Sequence, residues 1–180
     1  MRPDRLTTMA QQALAEAQSD AARRGNPEVG GLHVLAALLA DQNGPGPSIV
    51  SKAGAEPLKV AGLVKVELGR LPTTNSGAGA AGRVILDLLT KAEDHSKKMG
   101  DAYVSSEHLL LALSEVPGTA RDILTTLSLD RKTLESAIRQ IREASGVSNV
   151  TDANAEGSFE ALKKYAIDLT ARAQAGKLDP

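Results

Sequence analysis

The chain repeats itself. Displaced by 75 residues, segment 14–38 falls on segment 89–113 without a gap, and eight of the 25 pairs are identical. They are Leu14/Leu89, Ala17/Ala92, Gly25/Gly100, Val29/Val104, His33/His108, Leu35/Leu110, Ala37/Ala112 and Leu38/Leu113. Ordinary residue abundances would supply roughly two matches by chance. The glycine and histidine pairs, moreover, do not come from a Leu- and Ala-rich composition. Each copy is too short to cover its own apolar face, so the two must pack on each other.

Each copy reads as helices by period. Ala10, Ala13, Leu14, Ala17 and Ala21 form a stripe at three- and four-residue spacing, and Gly25-Asn26-Pro27 ends it. Thr8 with Gln11 would make a capping box, and Thr7 could serve equally as the cap. A short apolar helix over 32–40 stops at Asn43-Gly44-Pro45-Gly46-Pro47. A third helix covers 48–53, and a fourth, with Ala61, Val64, Leu68 and Leu71 on one face, closes at Pro72. In the second copy, Ile85, Leu88, Leu89, Ala92 and Met99 mark the first helix, and Gly100-Asp101 ends it. Ser105 or Ser106 caps the next, through Leu113, with Glu107 in the first turn where the helix dipole favours an acid. Helices over 119–127 and from Asp130, with Leu134, Ile138 and Ile141 inward, complete the plan. The fold class is therefore all-α: a duplicated four-helix repeat with pseudo-twofold packing, about eight helices in all.

The filling of that core is constrained. Aromatics are 2% of the chain (Phe159, Tyr103 and Tyr165), and Trp is absent, so Leu, Val, Ile and Ala must close-pack. A net charge of −1 provides no field for nucleic acid or anionic lipid, and the lack of aromatics removes the stacking surface of single-strand binders. There is no Cys, which excludes disulfides and thiolate metal sites and suits a reducing compartment. No apolar run serves as a signal peptide or membrane span. The expected location is cytoplasmic.

Between the copies, 72–82 (Pro-Thr-Thr-Asn-Ser-Gly-Ala-Gly-Ala-Ala-Gly) reads as a flexible connection. From 145 to 158 the chain turns polar and loses its period, as an interdomain linker does. Helical period returns over 159–175 through Leu162, Tyr165, Ala166 and Leu169. One such helix cannot be a domain, so the chain is expected to be part of a longer protein.

Signals of chemistry are weak. Gly77, Gly79 and Gly82 spell G-x-G-x-x-G, but no strand pattern precedes them, and Arg83-Val84 replaces the Lys-Ser/Thr of a P-loop. His33, His95 and His108 do not have metal-site spacing, and two of them are equivalent positions of the repeat. Asn149-Val150-Thr151 matches a glycosylation sequon that a cytoplasmic linker would leave unused. No catalytic residue, cofactor site or metal site is expected.

Segments 4–7 (Asp-Arg-Leu-Thr) and 100–113 (Gly-Asp-Ala-Tyr-Val-Ser-Ser-Glu-His-Leu-Leu-Leu-Ala-Leu) resemble the double Clp repeat at the N-terminus of bacterial Clp ATPases. The tail, at 162–173 and in Gly176-Lys177-Leu178-Asp179-Pro180, is similar to the lead-in to the first AAA+ module of the ClpB disaggregases. The resemblance implies a domain over 1–144 (repeats 1–72 and 81–144), a linker at 145–158 and the start of an AAA+ module at 159–180. It implies a non-catalytic, substrate-engaging module for unfolded or aggregated polypeptide. The parent would be a homo-hexameric ATPase using ATP and Mg²⁺ alongside a partner chaperone system, with no nucleic acid or membrane partner. The alternative is an adaptor- or degron-docking module of a ClpC/ClpA-type protease regulator. Such modules carry an acid before the histidine in both repeats, whereas Leu32-His33 stands in the first repeat here.

The family's functional positions match Thr7, Asp101 and Glu107, residues that could equally serve in caps and turns. Where the family exposes leucines on the first helix of the second repeat, this chain has Lys91 and His95. The expected substrate site therefore lies between Thr7 and the 101–107 turn, with acids on one rim and Lys91 and His95 on the other.

Overall fold

The computed structural model describes residues 2–157. The helix expected over 159–175, with the lead-in that starts the AAA+ module, lies outside them. After a 3-10 turn at Pro3–Arg5 come α1 (Thr8–Arg24), α2 (Gly31–Ala40), α3 (Pro45–Lys52) and α4 (Pro57–Gly69). The second set is α5 (Arg83–Lys98), α6 (Ser106–Leu113), α7 (Thr119–Thr126) and α8 (Arg131–Ser145). The all-α duplicated repeat is what the structure shows.

Local chemistry explains the ends. The Thr7 side chain accepts from the Ala10 N–H at 3.2 Å, which makes Thr7 the cap of α1 and Thr8 its first residue. Asp130 caps α8 through the Thr133 N–H at 2.8 Å. Gly25 and Gly100, the matched glycines, end α1 and α5 with φ +72° in both, where a Cβ would be strained. The expected end of the second helix holds, since α2 stops at Ala40, but the prolines that follow open the next helix: Pro45 and Pro47 sit in the first turn of α3. A missing N–H costs nothing there, and the fixed φ suits a helix.

The two repeats share one core. α2 and α6 run through its centre; every residue of α6 is buried. α2 packs on α1, α3 and α4 of its own repeat and on α5, α6 and α7 of the other, while α3 packs on α6 and α8. Leu35, Leu39, Ile49, Leu110, Leu124 and Leu134 are fully buried where these helices meet. Each apolar stripe is thus covered partly within its own copy and partly by the other.

The connection at 72–82 is more than a flexible link. Its residues Ala80–Ala81 (β2) pair in parallel with Glu28–Val29 (β1), and Thr74 and Gly79 donate to the carbonyls of Gly25 and Asn26. The same pairing recurs 75 residues apart in the parallel bridge of Leu6 with Val104. Extended backbone beside a buried turn must pair with something, and the repeat supplies the same partner twice.

Residues 147–156, expected as solvated linker, lie against the domain instead. Val150, Ala155 and Glu156 are buried, and the segment is hydrogen-bonded along its length. Periodicity could not reveal it, because the segment is held by irregular backbone and single side chains.

Candidate functional site

The matched histidines build the same turn twice. The Gly30 N–H donates to His33 Nδ1 at 3.0 Å, and the Ser105 N–H donates to His108 Nδ1 at 2.8 Å. Accepting at Nδ1 leaves the proton on Nε2. His33 Nε2 then donates to Asn26 at 2.9 Å, and His108 Nε2 to Asp101 at 2.7 Å. Asn26 and Asp101 are themselves equivalent positions. Burial pushes the His33 imidazole below its usual range, so it stays neutral in its amide-lined turn.

Asp101 brings charge into the second turn. Arg142, from α8, donates to both its oxygens, at 3.1 and 2.8 Å, and to Glu107 from Nε at 3.0 Å. The side chains of Asp101 and Glu107 are 0% and 5% exposed and that of Arg142 is 7% exposed, so water does not share these contacts. Burial alone would raise the Asp101 pKa. Hydrogen bonds from His108, Arg142 and the Val150 N–H outweigh it and hold the carboxyl at about 2. The same two acids hold the Arg142 pKa above its ordinary value against the effect of burial.

The third predicted residue, Thr7, meets a different acid. Its hydroxyl donates to Glu156 while accepting from Ala10, and the Ser106 N–H reaches both Glu156 oxygens at 3.2 Å. Burial, aided by the nearby Glu107, pushes the Glu156 pKa up; hydrogen bonds from Thr7 and Ser106 offset part of the rise. Thr7, Asp101 and Glu107 therefore sit side by side, as expected, but beneath the chain's own residues 148–156. They are 0%, 7% and 4% exposed.

Lys91 and His95 do not form the opposite rim. Both turn to Glu115, at 3.3 and 2.8 Å, where Arg131 also approaches at 3.6 Å. His95 is buried rather than displayed, and burial lowers its pKa despite the Glu115 carboxylate. The reason is geometric: their face of α5 packs on α6, so the acid just past α6 collects both side chains.

An open groove of about 370 Å³ lies elsewhere, between the repeats. Its walls come from the 26–33 turn and Leu71 on one side, and from Val84, Leu88, Leu113 and the 116–120 turn on the other. Gly31 lets the walls meet: a Cβ there would stand 3.2 Å from the Ala120 Cβ. The pseudo-twofold places a second, smaller groove of about 230 Å³ between Met9, Ala13, Leu38, Asp41 and Pro45. Its Asp41 stands where the larger groove has Val116, so the larger one has the more apolar wall.

None of Thr7, Asp101, Glu107, Lys91 or His95 lines the larger groove. Its residues were read from the sequence only as core or loop. The signal that could have found them is the repeat itself, because the 26–33 turn is the partner of the 101–108 turn that drew attention. Arg142 and Glu156 had no such signal.

The family described as the Clp repeat (R) N-terminal domain matches residues 5–127. The chaperone protein ClpB of Rhodopirellula baltica is 41% identical over 182 residues, covering 99% of this chain and 20% of that protein. The chain thus spans about a fifth of the length of the curated relatives it matches. Among solved structures, the Hsp104 N-terminal domain from Candida albicans is similar with a TM-score of 0.71 at 24% identity. That likeness covers 84% of this chain and 98% of the other. A ClpV N-domain in complex with a VipB peptide is similar with a TM-score of 0.60 at 21% identity, over 74% of this chain and 84% of that one. At these identities the two structures speak for the fold.

Proposed function

Because the chain belongs to the Clp repeat N-terminal domain family, we propose that it is the substrate-engaging N-terminal module of an ATP-dependent protein disaggregase, and that the inter-repeat groove takes short apolar stretches of unfolded polypeptide. The observation that carries this reading is the groove itself: a concave, largely apolar surface whose walls come from both repeats, with Val84 still 37% exposed at its edge. Groups of that kind gain free energy when a partner covers them. The Thr7 face, closed by the chain's own residues, does not offer that in this state. The peptide held by the related ClpV N-domain supports peptide binding by this fold.

The module has no catalytic part in this reading. ATP and Mg²⁺ belong to the AAA+ rings of the parent, which works in the cytoplasm as a homo-hexamer with a partner chaperone system. A small preformed groove binds weakly, and six tethered copies recover strength by multivalency. The protease-regulator alternative is less well supported: Leu32 replaces the acid of the first repeat, and Glu107 in the second is bound by Arg142.

Chemical-shift titration with an unfolded casein tests the reading. Perturbations are expected at 29–32, Val84 and 116–120, with a dissociation constant of tens of micromolar or weaker, an order-of-magnitude figure of about −6 kcal/mol. Val116→Asp, which copies the polar twin groove, should weaken binding several-fold. Perturbations that cluster away from the groove, or indifference to Val116→Asp, would overturn it.

A further inference from the structure

We propose that residues 147–156 are a releasable strap, latched by the Glu156 carboxylate on Thr7 and Ser106, which opens from its Glu156 end and uncovers the Thr7–Glu107 face without unfolding the domain. The strap is fastened in two unlike halves.

The first half is built in. Ser148 O accepts from Arg142 at 3.2 Å, and Asn149 Nδ2 donates to the carbonyls of Met99 and Gly100 at 3.1 and 3.0 Å. The Val150 N–H donates to Asp101 at 2.8 Å, its carbonyl accepts from Ala102 at 2.9 Å, and its side chain is fully buried. Releasing this half would break the ion network and expose an apolar side chain together.

The second half hangs on fewer contacts. Thr151, Asp152 and Asn154 are exposed. Thr8 holds the stretch, its N–H donating to Ala153 O and its hydroxyl to Asn154, both at 2.8 Å. Ala155 and Glu156 then return to the interior. Among the described residues no cation pairs with Glu156; its partners are the Thr7 hydroxyl and Ser106, through both N–H and side chain, at the start of a helix whose dipole favours a negative charge. Glu107, whose charge acts on it, is an acid bound by Arg142. A buried carboxylate held by neutral donors is close to balance, because the loss of water on closing nearly offsets the bonds gained. That balance makes this end the one that opens.

Opening returns the Thr7 hydroxyl and the Ser106 N–H to solvent and lengthens the chain leaving the domain by the 151–156 stretch. The proposal stands independently of whether the inter-repeat groove binds polypeptide.

Hydrogen exchange by mass spectrometry on the whole 180-residue chain, wild type against Glu156→Ala and Glu156→Gln, tests it. In Glu156→Ala the amides of 153–157 and Thr8 should exchange at least tenfold faster, while those of Val150, Ala102, α2 and α4 keep wild-type protection. Glu156→Gln keeps an acceptor for both donors and loses the charge, so the same amides should stay as protected as in wild type or more so. The proposal is overturned if Glu156→Ala leaves 153–157 unchanged, since the carboxylate then holds nothing. It is equally overturned if Val150, α2 and α4 accelerate by the same factor, since the end then does not open separately. Glu156→Gln opening as far as Glu156→Ala would also overturn it.

Discussion

Arg142 grips Asp101 through two hydrogen bonds, Nη1 to Oδ1 at 3.1 Å and Nη2 to Oδ2 at 2.8 Å, and the pair joins α8 to the turn before α6 from 41 residues away. The same guanidinium also serves Glu107, and His108 and the Val150 N–H take the remaining lone pairs of Asp101. Every member is out of water. Such a network says little about net stability while intact, but removing one member strands the others. Arg142→Ala should therefore cost about 3–5 kcal/mol in urea unfolding. Arg142→Lys should recover only a minor part, because an ammonium cannot reproduce the forked contact. A loss below 1 kcal/mol for Arg142→Ala would contradict the account.

Two acids predict opposite responses to pH. The Asp101 carboxyl is held at about 2 in the fold, against about 4 for a free aspartate. A depressed folded pKa gives stability that is present above pH 4 and lost as pH falls through about 2, amounting to about 3 kcal/mol. Glu156 is raised, so its closed form is favoured at low pH and weakens as pH rises through the folded value. Protection of 153–157 should thus increase as pH is lowered, whereas the contribution of Asp101 to domain stability is lost only below pH 4. Strap protection that decreases as pH falls would contradict this direction.

Two glycines in helices should respond oppositely to alanine. A Cβ on Gly46, in the first turn of α3, would lie 2.2 Å from the Leu38 carbonyl oxygen, so α2 and α3 would have to separate. Gly46→Ala should destabilise by roughly 2–3 kcal/mol. Gly62, within α4, has nothing within 4 Å of its would-be Cβ. Gly62→Ala should stabilise by about 0.5–1 kcal/mol, through helix propensity alone. Thermal melts of both variants check the pair.

The fourth prediction concerns Lys91 and His95. Since both hold Glu115 and neither lines the inter-repeat groove, Lys91→Leu with His95→Leu leaves Glu115 with Arg131 at 3.6 Å as its remaining ion-pair partner. The double variant should lose about 1–2 kcal/mol of stability, by stranding a half-buried acid. Its affinity for unfolded casein should stay within twofold of wild type. Markedly tighter binding would instead place substrate along that face of α5.

The duplication, the helices and their mutual packing were legible in the sequence because each rests on local or repeated information. The helical period, the caps at Thr7 and Asp130 and the glycine stops at Gly25 and Gly100 act within a turn or two of chain. The offset of 75 then reports that the two halves share one plan. As functional positions, Thr7, Asp101 and Glu107 were singled out only by the resemblance to the Clp family, because nothing in the helical period or the repeat marks them so. What covers them was not legible. Glu156 reaches Thr7 across 149 positions, and Arg142 reaches Glu107 across 35, through single side chains that leave no period behind. The inter-repeat groove likewise exists only after α2 and α7 have closed to the spacing that Gly31 permits. Periodicity tells which face of a helix is buried. Only the tertiary structure decides which segment buries it, and what is left open.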